Sequence, residues 1–242
     1  MLRWAMDRAL SIGYGVVYDT IFERFAPYRH LRAEVLALVE AAAAQAPERR
    51  AVSVLEAGCG PGNFTILLAE AGFTALGLEP YKTLVEIARE KRRARGLARL
   101  AFAQGDLAQG ARLEAGTFDQ VISIHTLYAH PDPAGFLAQA CRVLRPGGHA
   151  VIVNHTRHMG VASTFAAVRA RQGAGAALRT LGLWLLPNAI FEAARRRIGP
   201  HYWDEARFTA HVRAAGFTVL DTRRTFLDGS SLLVWARKDA TA

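Results

Sequence analysis

At 242 residues, with 51% hydrophobic and 21% charged residues, the chain suits one large domain or two small ones and is too apolar to stay disordered. Its 21 Gly and 9 Pro follow no collagen-like period, and its two cysteines, Cys59 and Cys141, exclude a disulfide scaffold, a four-thiolate zinc site and an iron–sulfur cluster held by one chain. Of the formal net charge of +9, residues 157–200 carry +6, which points to a local anionic partner such as a lipid surface or an acidic substrate and away from a diffuse nucleic-acid footprint.

The first ten residues, MLRWAMDRAL, include Asp7 and lack a continuous apolar region with a small-residue cleavage site, so no signal peptide is expected. Next, SIGYGVVYDTIFERFAPYR sets Tyr14, Tyr18, Ile21, Phe22 and Phe25 at approximate i, i+4, i+7 spacing, a stripe that suits core packing, and AAAAQAPERR at 41–50 reads as a helix end and a turn. From Val52 onward, strand-like runs near 52–56, 74–78, 99–103, 118–124 and 148–154 alternate with helical patterns in FTILLAEAGF, YKTLVEIAREKRRARG and FLAQACRVLRPGG, the last ended by Pro146 and two glycines. Such alternation predicts an α/β fold, a doubly wound sheet. Residues 160–200 break the rhythm with a basic, Ala-rich helical stretch. Its longest apolar run, Leu181 to Leu186, lies between Arg179 and Pro187 and is too short to span a membrane. A short helix in DEARFTAHVRAAGF follows. FTVLDTRR and SSLLVWAR then predict an antiparallel hairpin at the edge of an otherwise parallel, seven-stranded sheet. The chain divides into an N-terminal helical part (1–50), a core (51–156), a helical insert (157–215) and a C-terminal hairpin (216–242).

The most specific signal is VLEAGCGPGNFT at 54–65. Gly58, Gly60 and Gly62 fall between a strand and a helix, where missing side chains let backbone N–H groups approach a ligand. A dinucleotide fingerprint spaces its glycines G-x-G-x-x-G. Here the pattern is acid-x-G-x-G-x-G, with Glu56 as the acid, and it resembles the motif of class I S-adenosylmethionine-dependent methyltransferases. ALGLEP with Glu79, AQGDLAQ with Asp106, FDQVISIHTLYAH and VLRPGGHAVIVN then arrive in that family's order, so the resemblance covers about residues 52–154.

The resemblance implies a Rossmann-like methyltransferase fold with S-adenosylmethionine as cofactor and S-adenosylhomocysteine as product. It makes Glu79, followed by Pro80, the acceptor for the ribose hydroxyls, and Asp106 the partner of the adenine amino group, with Leu107 behind the ring. A helix-capping role for Asp106 is the alternative. Glu56 is placed near the cationic methionine end, against a capping or sheet-edge role, and Cys59 is a small packing residue of the loop. Tyr18, followed by Asp19, is the candidate for a lid residue over the cofactor, since relatives in quinone pathways fold an N-terminal Tyr-containing helix there.

HTLY at 125–128 is not the N/D-P-P-Y motif of amino methyltransferases acting on nucleic acids or protein amides, and no metal-site set of acids is evident. His125, His130 and His155 follow strand ends on the expected pocket face and are the candidates for deprotonating an acceptor; His125 is also a candidate cofactor contact. Leu181, Leu183, Trp184, Leu185, Leu186, Ile190 and Phe191 give the insert enough apolar surface to line a greasy pocket or rest on an anionic bilayer. The resulting expectation is a cytoplasmic methyltransferase acting on a small, lipophilic acceptor, with peripheral membrane contact and no specific nucleic-acid partner. A nicotinamide-dependent reductase and a non-catalytic cofactor-binding or membrane-associated protein are the readings left beside it.

Overall fold

The computed structural model describes residues 18–109, 112–156, 161–194 and 201–240. Asp7, Tyr14 and Arg195 to Arg197 lie outside them, as do the side chains of Leu183, Leu186, Ile190 and Phe191. Seven strands, β1 (Ser53–Ala57), β2 (Thr74–Glu79), β3 (Leu100–Gln104), β4 (Phe118–Ile124), β5 (Leu144–His155), β6 (Phe217–Thr225) and β7 (Ser231–Lys238), form one sheet in the order β3-β2-β1-β4-β5-β7-β6. The first five pair in parallel, and β7 runs antiparallel between β5 and β6. This is the α/β, doubly wound sheet with a C-terminal antiparallel hairpin that the alternating runs predict.

Both faces of the sheet are apolar because the central strands are hydrophobic at successive positions, and period-2 alternation sends neighbours to opposite sides. Val54, Ile122, Val151, Val153 and Leu233 enter one core, and Leu55, Val121, Ala150, Ile152, Leu232 and Val234 enter the other. Helices α1 (Ala26–Ala42), α2 (Asn63–Glu70), α3 (Lys82–Arg95), α5 (Val161–Gln172) and α6 (Ala174–Ala194) contribute to the first core, together with residues 18–24, which are also helical. Helices α4 (Pro133–Val143) and α7 (Glu205–Ala214) pack into the second through Phe136, Leu137, Phe208 and Val212. Each such fully buried Leu or Phe contributes about 1.5–3 kcal/mol.

One boundary differs from the expectation. The helix in FLAQACRVLRPGG ends at Val143, and β5 starts at Leu144, before the proline. Pro146 biases Arg145 toward the extended region, and a Cβ at Gly148 would stand 2.9 Å from the carbonyl oxygens of Arg145 and Asp119. The Pro-Gly-Gly stretch is therefore taken into the strand, with a register shift opposite Phe118 and Gln120.

Strand order reverses between β1 and β4, and in such sheets the crevice at the carboxyl ends of the flanking strands is where ligands enter. The ends of β1, β2, β4 and β5, and the turn after β3, all face that crevice. Among the described residues no helix is long and apolar enough to cross a membrane, and no group of three or more His, Cys, Asp or Glu could hold a metal ion.

Candidate active site

The loop after β1 turns back on itself through three residues with positive φ: Gly58 at 79°, Gly60 at 54° and Gly62 at 82°. They lack side chains for two different reasons. A Cβ on Gly58 would lie 2.3 Å from the Thr126 hydroxyl, and one on Gly62 would lie 2.6 Å from the Phe102 ring and 2.8 Å from Ala88, so these two glycines serve close packing. A Cβ on Gly60 would meet nothing within 4 Å, because that residue opens onto a cavity of about 460 Å³. The N–H groups of Gly58 and Cys59 donate to the Leu78 carbonyl, tying the loop to β2.

Three acids line the cavity. Glu79, at the end of β2, accepts from the Gly60 N–H at 3.0 Å and the Tyr81 N–H at 3.1 Å. Glu56 is buried, with the Thr65 hydroxyl bonded to its Oε2. Burial pushes its carboxyl up to about 8; the Thr65 bond opposes the shift and the neighbouring Glu79 adds to it. Asp106 Oδ1 accepts from the Ala108 N–H at 2.9 Å, the capping bond expected of an Asp opening a turn, and also lies 2.9 Å from Nε2 of His130. Cys59 sits on the wall as well. Burial, with Glu56 and Glu79 nearby, pushes its thiol well above the ordinary value, which fits a packing role.

The three candidate histidines part company. His130 is 8% exposed, and its Nδ1 accepts from the Asp132 N–H at 3.0 Å. With Nδ1 accepting, Nε2 is the ring's donor and faces Asp106. His125 and His155, at the ends of β4 and β5, stack face to face with centroids 3.9 Å apart and planes 12° from parallel. The Ser231 hydroxyl lies between them, 2.9 Å from Nε2 of His125 and 3.0 Å from Nδ1 of His155. Burial drives the His125 ring well below the ordinary imidazole value, with His155 beside it adding to the shift, and pushes His155 down to about 3. Both rings are therefore neutral at pH 7. His125 also has φ at 52°, a left-handed conformation that costs a non-glycine residue of order 1–3 kcal/mol and tends to persist at working sites.

Aromatic side chains close the cavity around this pair. Phe226, itself at φ 56°, sets its ring edge-on to His125 at 4.9 Å, and Tyr128 does the same to His155 at 4.9 Å. Tyr28 of α1 and Trp184 of α6 line the cavity as well. Tyr18 lines the cavity and its hydroxyl meets that of Tyr28. Next to it, Asp19 bonds to Asn63 Nδ2 at 2.8 Å and to the Lys91 ammonium, which also donates to Asn63 Oδ1 at 2.8 Å. Among the described residues, no Lys or Arg lines the cavity.

Of the residues singled out in the sequence, Glu56, Gly58, Cys59, Gly60, Glu79, Pro80, Asp106, His125, His130, His155 and Tyr18 all line this one cavity. Gly62 and Leu107 do not. Gly62 packs against Phe102 and Ala88, and Leu107, 3% exposed, belongs to the second core. The sequence reading passes over Ser231, Phe226, Tyr28 and Tyr81. Only Tyr81, adjoining Glu79 and Pro80, stood next to a motif that could have flagged it.

A family model described as a methyltransferase domain matches residues 25–222. The ubiquinone biosynthesis O-methyltransferase of Methylococcus capsulatus is 39% identical over 100 residues, covering 41% of this chain and 40% of that protein. The phthiotriol/phenolphthiotriol dimycocerosates methyltransferase of Mycobacterium leprae is 35% identical over 100 residues, covering 40% of this chain and 35% of that protein. The chain thus spans about two fifths of the length of these curated relatives. Among solved structures, magnesium protoporphyrin IX methyltransferase from Synechocystis, with bound S-adenosylhomocysteine, superposes with a TM-score of 0.65 at 16% identity, over 99% of this chain and 100% of that one. An S-adenosylmethionine-dependent methyltransferase from Aquifex aeolicus gives 0.58 at 16% identity, over 90% and 92%. At that identity the structural likeness speaks for the fold, while the family model reaches from α1 into β6; the chain belongs to the methyltransferase-domain family.

Proposed function

We propose that this protein transfers a methyl group from S-adenosylmethionine to a small, uncharged, lipophilic acceptor. The observation that carries the reading is that one cavity brings together carboxylates, an open glycine loop, neutral imidazoles and aromatic rings. The acids and the loop suit the cofactor. Gly60 leaves its backbone bare, Glu79 offers a carboxylate to two ribose hydroxyls, and Asp106 offers Oδ2 to an amino group while His130 and the Ala108 N–H hold Oδ1. Glu56, kept protonated near neutral pH by burial, becomes a carboxylate when a cation stands beside it, which suits the methionine end. When bound, the cofactor supplies an electrophilic methyl group on a sulfonium.

The chain's own residues then orient and deprotonate. Ordering an acceptor against the cofactor supplies much of the acceleration in a direct displacement. Tyr28, Tyr128, Trp184 and Phe226 would hold an apolar ring or chain, and the absence of Lys or Arg from the wall among the described residues disfavours carboxylate or phosphate acceptors. His125 and His155 are the groups placed to take a proton. The N-terminal segment with Tyr18 is the lid, and residues 157–215 supply substrate recognition; in α6, Leu181 and Trp184 are already buried.

Glu79→Ala should weaken binding of S-adenosylhomocysteine at least tenfold, because charge-assisted bonds are worth about 1.5–3 kcal/mol. Titration calorimetry on the folded variant checks this. An unchanged dissociation constant, or a thermal shift produced by NADPH and not by S-adenosylhomocysteine, would overturn the reading. Placement at the inner face of the membrane belongs to the same proposal, since a lipophilic acceptor partitions there. Replacing Arg195, Arg196 and Arg197 by Gln should remove most sedimentation with anionic vesicles at low salt while leaving cofactor affinity intact; equal sedimentation of the variant and the wild type rejects docking through these arginines.

A further inference from the structure

We infer that Ser231 joins His125 and His155 into a single relay that receives the proton of a hydroxyl acceptor as that acceptor is methylated. The inference rests on the methyl-transfer reading and adds to it the acceptor's chemical class and a positioning residue from the far end of the chain.

Counting protons on the bridge carries the argument. Ser231 Oγ has one hydrogen to donate and lies within hydrogen-bond distance of one nitrogen on each ring. If it donates to His155 Nδ1, it accepts from His125 Nε2–H, and His155 then carries its proton on Nε2. If it donates to His125 Nε2, it accepts from His155 Nδ1–H, and His125 then carries its proton on Nδ1. In the first state both rings are Nε2–H tautomers; in the second both are Nδ1–H. In either state one ring leaves a bare nitrogen on its far side, and the other leaves an N–H. No partner for His125 Nδ1 or His155 Nε2 is found among the described residues, and both side chains line the cavity.

Such a unit takes up a proton at one end and passes one on at the other. The acceptor O–H bond breaks and its proton goes to the bare nitrogen. The oxygen pair forms the bond to the methyl carbon while the carbon–sulfur bond breaks with its pair on sulfur. The receiving ring hands its Ser231-facing proton to Oγ, the Oγ proton moves to the second ring, and that ring's outer N–H proton leaves to water. The transfers run together, so neither buried ring holds the positive charge that depresses the basicity of both. They exchange the two tautomer states, and after the product leaves the reverse shift restores the starting state, with a proton taken from water at one end and released to water at the other. A hydroxyl acceptor fits because it must lose its proton as the bond forms. An amine can attack as a free base and lose its proton afterwards, so it makes no use of a base poised at the bond-forming step. The site is also built at a cost. His125 and Phe226 have φ of 52° and 56°, and the strained corner at Phe226 and Leu227 leads into Ser231, which is fully buried at the start of β7.

The decisive measurement is nitrogen NMR on histidine-labelled protein without ligand, with His125→Gln and His155→Gln used for assignment. The two rings should show the same tautomer in the wild type. Ser231→Ala should lose that pairing, and Ser231→Thr, which keeps the hydroxyl, should retain it. Opposite tautomers in the wild type, or an unchanged pattern in Ser231→Ala, would overturn the relay. Against a panel of uncharged phenols, Ser231→Ala should lose at least tenfold in kcat with unchanged affinity for S-adenosylhomocysteine, and Ser231→Thr should recover most of it. A wild type that binds S-adenosylhomocysteine and methylates none of the phenols overturns the hydroxyl assignment. One that does not bind it overturns the methyl-transfer reading instead, and the tautomer pairing is still read in the protein alone.

Discussion

Gly60 and Gly62 show how two residues of one motif come to do separate work. Both hold positive φ, so any side chain strains them. Only Gly62 is walled in, by Phe102 and Ala88. Gly62→Val should therefore lower stability by about 1–3 kcal/mol or more through overpacking, visible as a lower denaturation midpoint. Gly60→Val should cost less stability, yet abolish binding of S-adenosylhomocysteine, because its side chain would fill open cavity beside Glu79. A folded Gly60→Val protein that still binds would separate the loop from the cofactor. The motif made this loop legible in the sequence, since glycine is informative wherever backbone must be bare. It could not say which glycine faces a ligand and which faces a neighbouring ring, as that depends on Phe102 in β3 and Ala88 in α3.

A polar knot ties the helical segment at 18–24 to the body of the fold, beside the Tyr18–Tyr28 hydroxyl contact and the Arg32 guanidinium on the Phe22 carbonyl. Asp19 bridges Asn63, the first residue of α2, and Lys91 of α3, where burial lowers the ammonium below its usual value and Asp19 opposes that shift. Asp19→Ala leaves a largely buried cation with its Asn63 Oδ1 bond but without the adjacent carboxylate, a loss of about 1–3 kcal/mol. The segment should then open more often. Hydrogen exchange at residues 18–24 should quicken, and affinity for S-adenosylhomocysteine should fall several-fold, with α2 and α3 unchanged; unaltered exchange would reject the latch. Elements of this kind are half legible. The apolar stripe of Ile21, Phe22 and Phe25 announced burial, and all three are buried, but the knot joins residues 72 apart in sequence and leaves no local pattern. The same limit hid Ser231, which reaches His125 only because β7 inserts antiparallel beside β5. At the α4–β5 junction the local signal is ambiguous: a proline followed by two glycines suits a helix end, yet Pro146 lies two residues inside a strand.

For the molecule as a whole, three buried groups at the cavity set opposing trends with pH. Glu56 has its carboxyl raised from 4.5 to about 8 in the fold, so the stability it contributes is lost as pH climbs through that window. His125 and His155 are depressed below 6.5, so what they contribute is present above that value and lost as pH falls. Two imidazoles outweigh one carboxyl on the acid side, and the carboxyl acts alone above pH 6.5. Stability of the ligand-free protein should peak near pH 6.5 and decline toward pH 8 with a slope approaching about 1.4 kcal/mol per pH unit. Urea titrations from pH 5 to 8 read this directly, and Glu56→Gln should flatten the alkaline limb. An alkaline limb equally steep in that variant would exclude Glu56 as its source.

The two sets of cavity residues draw on different stretches of chain. The acids and the glycine loop come from residues 56 to 106, while the imidazoles and rings around them gather Tyr28, His125, Tyr128, His155, Trp184 and Phe226 from outside that block. Mutations accumulating outside the central block can thus reshape what is accepted without disturbing what is donated. The fold separates conservative machinery from an evolvable chamber, so descendants of such a chain can diverge in substrate while inheriting the same chemistry.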